Sequence, residues 1–137
     1  MIRGIFIVFS LLFCTIGFGA DISKEFKSQN KEIVKLAVEA ISKKLPQKVD
    51  NFTTLVKVDS KDLNLIYTFE ILTGAKSDEF VAKDGKKRMS KNVKKGICQS
   101  SKRFLDSEIN ISYIYISAVS KKVLFRFDIT KSDCIHW

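Results

Sequence analysis

Two cysteines, Cys98 and Cys134, bracket the stretch that most constrains how this chain can fold. Between them, Ile109 to Ser117 and Val123 to Thr130 alternate apolar and polar residues, and the short segment Ala118 to Lys122 separates the two runs. Period-two alternation on both sides of a short polar break is the pattern of a β-hairpin. A bond between the cysteines would close a loop of about 36 residues and, in the chain-entropy estimate, stabilise the fold by roughly 4 kcal/mol. It would also staple a helix end to the last strand.

Whether that bond forms depends on the compartment, on which the N-terminus bears. Arg3 precedes the apolar run Ile5 to Phe18, and the small residues Gly17, Gly19 and Ala20 stand before the charge-rich DISKEFK. This is the layout of a secretory signal peptide over 1–20, and the run is shorter than the roughly 20 residues of a membrane-spanning helix. Phe18 is bulkier than the cleavage site prefers, which leaves an uncleaved anchor or a cut one residue earlier as alternatives. Cys14 in LLFC faintly matches a lipoprotein box, but Phe13 fills the place of a small residue, so Cys14 reads as part of the apolar stretch. The chain carries a net charge of +9, and Arg3 is the one charged residue of the leader. Removing the leader leaves about 117 residues at about +8, enough for one domain with a real core. The two cysteines that remain in an exported chain are expected to be a disulfide. The protein is therefore expected in the periplasm or secreted.

From Asp21 to Leu45 the residues Ile22, Phe26, Ile33, Val34, Ala37, Val38, Ile41 and Leu45 recur at helical steps, and Pro46 stops the helix. The pattern predicts one buried stripe. Two strands follow, Phe52 to Val58 with Phe52, Thr54, Val56 and Val58 on one side, and Leu63 to Leu72 with Leu63, Leu65, Tyr67, Phe69 and Ile71 on one side. Asp59 to Asp62 is the turn between them. Thr73 to Asp84 reads as a mobile connection. A second helix is expected from about Gly85 through Cys98, with Leu105 as its furthest end, buried along Met89, Val93 and Ile97, with Gly96 a weak point. In the last hairpin Tyr113, Tyr115, Phe125 and Phe127 are expected to be core rather than a stacking platform. Asn110, Ser112, Ile114 and Ile116 should share the other face with Leu124, Arg126 and Asp128. The order is αββαββ over 21–137, an α+β domain with a four-stranded antiparallel sheet and helices on one face.

The inventory for catalysis is thin. His136 is the single histidine and lies beside the C-terminus, and no HExxH, CxxC, nucleophile elbow or glycine-rich phosphate loop is present. No cofactor or metal is expected. Any two of Glu70, Asp78, Glu79, Asp106 and Glu108 could meet as a carboxylate pair, which keeps an unrecognised hydrolase as a third reading. Cys98 and Cys134 are too far apart in sequence for the usual redox-active pair.

The distinctive surface feature is basic. Lys83, Lys86, Lys87, Arg88, Lys91, Lys94, Lys95, Lys102 and Arg103 crowd together with Asp84 the one acid among them. Lys87, Lys91, Lys94 and Lys95 project away from the buried stripe, and with Lys102 and Arg103 they are the candidate binding residues. Such a face suits an acidic protein, anionic lipid or a polyanion, although a solvated helix of a lysine-rich protein looks the same. No motif for sequence-specific nucleic-acid reading is present.

The segments LPQKVDNFTTLVKVDSKDLNLIYTFEI and CQSSKRFLDSEINISYIYISAVSKKVLFRFDITKSDC resemble small exported bacterial proteins, mostly uncharacterised, that combine a signal peptide, an LPxxVDxxT segment and a C-terminal C...RxL...IxYxY...DC segment. Glu108 stands near where such chains often carry glycine. The resemblance implies a periplasmic or envelope-facing αββ-type domain and supplies no catalytic residue. The expectation is a non-enzymatic exported protein that binds another envelope macromolecule, as an assembly factor, inhibitor or immunity-type protein. An anionic lipid- or polysaccharide-binding module using the basic helix is the alternative.

Overall fold

The computed structural model describes residues 19–137. The expected signal segment and Cys14 lie outside the described residues, apart from Gly19 and Ala20, which open the first helix. In chain order the elements are α1 (Gly19–Ser42), β1 (Gln47–Lys48), β2 (Thr53–Lys61), β3 (Asn64–Ile71), α2 (Asp78–Ser100), α3 (Lys102–Asp106), β4 (Asn110–Ser117), β5 (Val123–Ile129) and a 3-10 turn (Lys131–Cys134). Cys98 and Cys134 are bonded, so the end of α2 is held against the turn that follows β5.

The architecture is α+β, but the sheet differs from the expectation of four antiparallel strands. It has five strands in the order β1-β2-β3-β4-β5. β3 and β4 are parallel, from Asn64 beside Asn110 to Ile71 beside Ser117, while the other neighbours are antiparallel. The cause is the connection: a crossover through α2 and α3 returns the chain to the end of the sheet where β3 began, and such a crossover is what parallel neighbours need. β1 is too short to show alternation in the sequence.

Two bulges also move side chains from their expected faces. In β2 the register shifts between Leu55 and Lys57, so Leu55 pairs with Phe69 and Val58 with Tyr67. Leu55 and Val58 are buried, whereas Val56 is not. In β5 the shift lies opposite Tyr115 and Ile116, which pair with Phe125 and Val123. Leu124 is the extra residue, and it joins the buried cluster with Phe125 and Phe127 instead of the outer face. An extra residue resets the two-residue alternation from that point on.

Both helices cover one face of the sheet. Val34 of α1 and Ile97 of α2 share a cluster with Leu65, Ile111 and Ile129, and the side chains of Leu65, Ile97, Ile109 and Ile111 are almost completely buried. Burying each large aliphatic side chain contributes about 1.5–3 kcal/mol. α1 also donates a hydrogen bond from buried Asn30 Nδ2 to the Ser107 carbonyl, 2.7 Å away. Of the stripe expected on α1, Val34 is buried and Ala37, Val38, Ile41 and Leu45 are partly so, but Ile22, Phe26 and Ile33 are exposed.

The segment expected to be mobile is partly helical. Ser77 Oγ accepts the Phe80 N–H at 3.2 Å, and Asp78 and Glu79 sit in the first turn, so α2 begins seven residues before Gly85. An N-cap hydroxyl and first-turn acids complement the free N–H groups and the positive end of the helix. Gly85 lies within α2 because the helix comes close to the sheet there: a Cβ would stand 3.0 Å from Phe125 Cε1.

Candidate binding cleft

α1 packs on β2 and β3, and α2 packs on β5. Beside α2 a cleft of about 320 Å³ opens on the covered face of the sheet. Its floor is Leu55, Tyr67, Phe69, Tyr113 and Tyr115; Met89 of α2 stands on one side, and Gln47, Val49, Asp50 and Thr53 form the rim on another. All three tyrosines of the chain line it.

The floor follows from strand pairing. Tyr67 pairs with Tyr113, and Phe69 with Tyr115, across the parallel β3–β4 seam, placing four rings on one face. Phe69 and Tyr115 stack with centroids 5.0 Å apart, while Tyr113 tilts against Phe69 at 4.8 Å and Tyr67 at 5.2 Å. Such contacts fix ring orientation as well as burying apolar area. Tyr115 continues onto Phe125 at 4.9 Å, so the cleft floor is the exposed end of the aromatic core. Tyr115, Phe125 and Phe127 are buried, while Tyr113 is half-buried. Core and surface roles are thus divided among the aromatics.

Among the described residues no hydrogen bond involves the three tyrosine hydroxyls. Burial raises the pKa of Tyr67, pushes Tyr113 up to about 12 with help from neighbouring Tyr67, and raises Tyr115 as well. The phenols are neutral donors and acceptors at neutral pH, set in apolar surroundings. The rim is rigid by its own hydrogen bonds: Asp50 Oδ1 accepts the N–H groups of Phe52 and Thr53, each at 2.8 Å, and Val49 N–H donates to the Thr53 carbonyl at 2.9 Å. The Phe52 N–H is the main cause that holds the Asp50 carboxyl below its ordinary value. Chemically the cleft can hold an apolar or aromatic group and offer hydrogen bonds at its edge.

The residues singled out in the basic run lie on α2 and α3. Lys87, Lys91, Lys95 and Arg103 are exposed, and none of the four forms an ion pair among the described residues. Lys94 is turned toward Asp133 at 3.7 Å, and Lys102 bonds Asp106 at 2.9 Å. Of the five carboxylates considered for catalysis, four have separate partners, and Glu79 is exposed with no ion pair among the described residues. Glu70 meets Lys121, Asp78 accepts from Ser120, Asp106 meets Lys102 and Glu108 faces Lys131. His136 is exposed on the C-terminal tail. Among the described residues no group of three His, Cys, Asp or Glu side chains is placed to hold a metal ion, and no helix is long and apolar enough to cross a membrane.

The uncovered sheet face balances its own charge. Arg126 Nε donates to Asp128 at 2.7 Å, and Ser112 Oγ bridges Asp128 and Asn64. Burial opposes ionisation of Asp128, but hydrogen bonds from Ser112 and Arg126 outweigh it and keep the carboxyl below its ordinary value. Half-buried Ile66, Ile114 and Ile116 lie beside this network.

A family profile described as a domain of unknown function, DUF8479, matches residues 28–125, which includes most of α1, the sheet through Phe125 and the whole cleft. The chain belongs to the DUF8479 family. No curated protein matches by sequence. Among solved structures, a candidate secreted protein from Pseudomonas aeruginosa is similar with a TM-score of 0.68 at 9% identity, covering 80% of this chain and 96% of that one. The type 2 secretion pilotin EpsS from Vibrio vulnificus gives 0.67 at 13% identity, covering 81% and 96%. The type II secretion pilotin AspS from Vibrio cholerae gives 0.65 at 13% identity, covering 82% and 98%. At these identities the likeness is one of fold, and this DUF8479 member shares it over nearly the full length of each neighbour.

Proposed function

We propose that this chain is an exported, non-enzymatic envelope protein that acts by binding another macromolecule, as an assembly factor in the manner of a pilotin. The observation that carries this reading is the cleft: an aromatic floor between Met89 of α2 and the rim of Gln47, Val49, Asp50 and Thr53, with three phenol hydroxyls that no group among the described residues engages. Leu55, Phe69 and Tyr115 of the floor are buried, while Tyr67 and Tyr113 keep an accessible edge. Large rigid aromatics with one polar atom each are well suited to an interface anchor. The two segments on which the sequence resemblance rests meet here, Val49, Asp50 and Thr53 from one and Tyr113 and Tyr115 from the other. The pilotin fold of the neighbours supports the same reading.

The test is cross-linked capture of the protein from its native envelope, washed at high salt, beside two cleft variants. Tyr67→Phe with Tyr113→Phe removes hydroxyls and keeps ring packing, and Met89→Lys puts a charge on the wall. A protein retained by the unmodified chain and lost by both variants, with thermal melting unchanged, supports the proposal. Equal retention by all three would sink it.

A second reading has its own support in the exposed Lys87, Lys91, Lys95 and Arg103, which form no ion pair among the described residues. Binding to anionic lipid or polysaccharide through this face would vanish at high salt and on replacement of Lys87, Lys91, Lys94 and Lys95 by glutamine, leaving the cleft variants unaffected.

A further inference from the structure

α1 is amphipathic twice over. Its buried side begins at Asn30, and from Ile22 to Gln29 every side chain is exposed. On the adjoining side Ile22, Phe26, Gln29, Ile33, Leu36 and Ala40 follow alternating steps of four and three residues, the spacing of a heptad seam. The four large residues of that seam are 64%, 47%, 44% and 55% exposed for Ile22, Phe26, Ile33 and Leu36. The seam runs along about 27 Å of helix at 1.5 Å per residue.

A second row lies beside it. Glu25, Glu32 and Glu39 recur every seven residues along the seam's outer border, and none forms an ion pair among the described residues. α1 as a whole is neutral, with Lys24, Lys27, Lys31 and Lys35 on the side of this row away from the seam, so the charge that borders the seam itself is acidic. The first turns of α1 also stand without support from the described part of the domain, and an isolated helix of that length is marginal in water.

We infer that the exposed seam of α1 docks an amphipathic helix of a partner protein, one that presents apolar residues at heptad spacing and a flanking row of Lys or Arg. The heptad spacing selects a helix, and the glutamate row selects its charge. A second copy of this chain fits poorly, because antiparallel pairing sets glutamate rows against each other and parallel pairing sets them against uncharged Ser23, Asn30 and Ala37. An anionic membrane surface is repelled by the same row.

The probe is a synthetic three-heptad helical peptide with Leu along its seam and Lys at the flanking positions, beside a twin with Glu in place of Lys. Fluorescence anisotropy should show the Lys peptide binding the protein against the net charge, and weakening by at least about tenfold with Phe26→Asp plus Ile33→Asp. Both residues are exposed, so unchanged thermal melting separates lost docking from lost folding. Glu25→Lys, Glu32→Lys and Glu39→Lys together should transfer the preference to the Glu twin, while Tyr67→Phe with Tyr113→Phe in the cleft should leave Lys-peptide binding intact. The inference is overturned if the Lys peptide does not bind, or binds the seam variant equally. Sedimentation that shows a dimer dissociated by Ile33→Asp would also overturn it, making a second copy the occupant.

Discussion

Glu108 has φ 61°, inside the left-handed region, at the tight turn from α3 into β4, where its N–H donates to the Leu105 carbonyl at 3.0 Å. A side chain with a Cβ pays about 1–2 kcal/mol for that conformation, whereas glycine adopts it freely. The carboxylate recovers little, since its contact with Lys131 is 3.9 Å long and exposed. Glu108→Gly is therefore expected to raise stability by a few tenths to about 1 kcal/mol, the gain being trimmed by the added freedom of glycine in the unfolded chain. Chemical denaturation would check it, and a lowered midpoint would show that the Lys131 contact outweighs the strain.

The last 3-10 turn is the element on which the stapled hairpin depends. Asp133 Oδ2 accepts the Thr130 N–H at 2.8 Å and the Thr130 hydroxyl at 3.0 Å, one residue before the disulfide. The Thr130 N–H is the leading cause of a carboxyl pKa below its ordinary value, with Lys94 adding to it. A depressed folded pKa contributes stability that is fully present above the unfolded value of about 3.9 and is lost as pH falls through the folded value. Asp133→Asn should thus cost on the order of 1 kcal/mol at neutral pH, the scale of a lost cap, and the gap from the unmodified protein should close in strong acid. Thermal melts over a pH series decide this; a gap that stays constant into strong acid would mean the carboxylate charge is not the source. At the same scale, α1 shows how far periodicity carries. It marked the helix correctly, but it merged a buried and an exposed apolar side into one stripe, since both repeat at three and four residues.

Across the whole molecule, the three tyrosines report on the cleft and on the fold together. Burial raises their pKa values, Tyr113 to about 12. Their neutral form is favoured in the folded state, so the stabilising contribution is fully present below the unfolded value of about 10 and is lost as pH rises through the folded value. Alkaline titration followed by phenolate absorbance should show the native protein ionising well above the unfolded chain; two or more phenols titrating near pH 10 in folded protein would contradict the cleft as described. The cleft itself was only partly legible. The alternation of Ile111, Tyr113 and Tyr115 places the rings on one face, yet nothing local indicates that Tyr113 stays half-open while Tyr115 closes. That depends on where α2 and the rim from Gln47 to Thr53 land over the sheet.

The division between the two levels of information has a physical basis. Local spacing determined the helices, both hairpins, the cystine bracket and the basic run, because hydrophobic period, turn chemistry and cysteine count act within a few residues or through composition. Tertiary structure decided the parallel β3–β4 seam, the faces taken by Leu55 and Leu124 after their bulges, the split of α1 into buried and exposed sides, and the open cleft. Each of these depends on which surface is nearest in space, and a period records that a residue has a face without recording what that face meets.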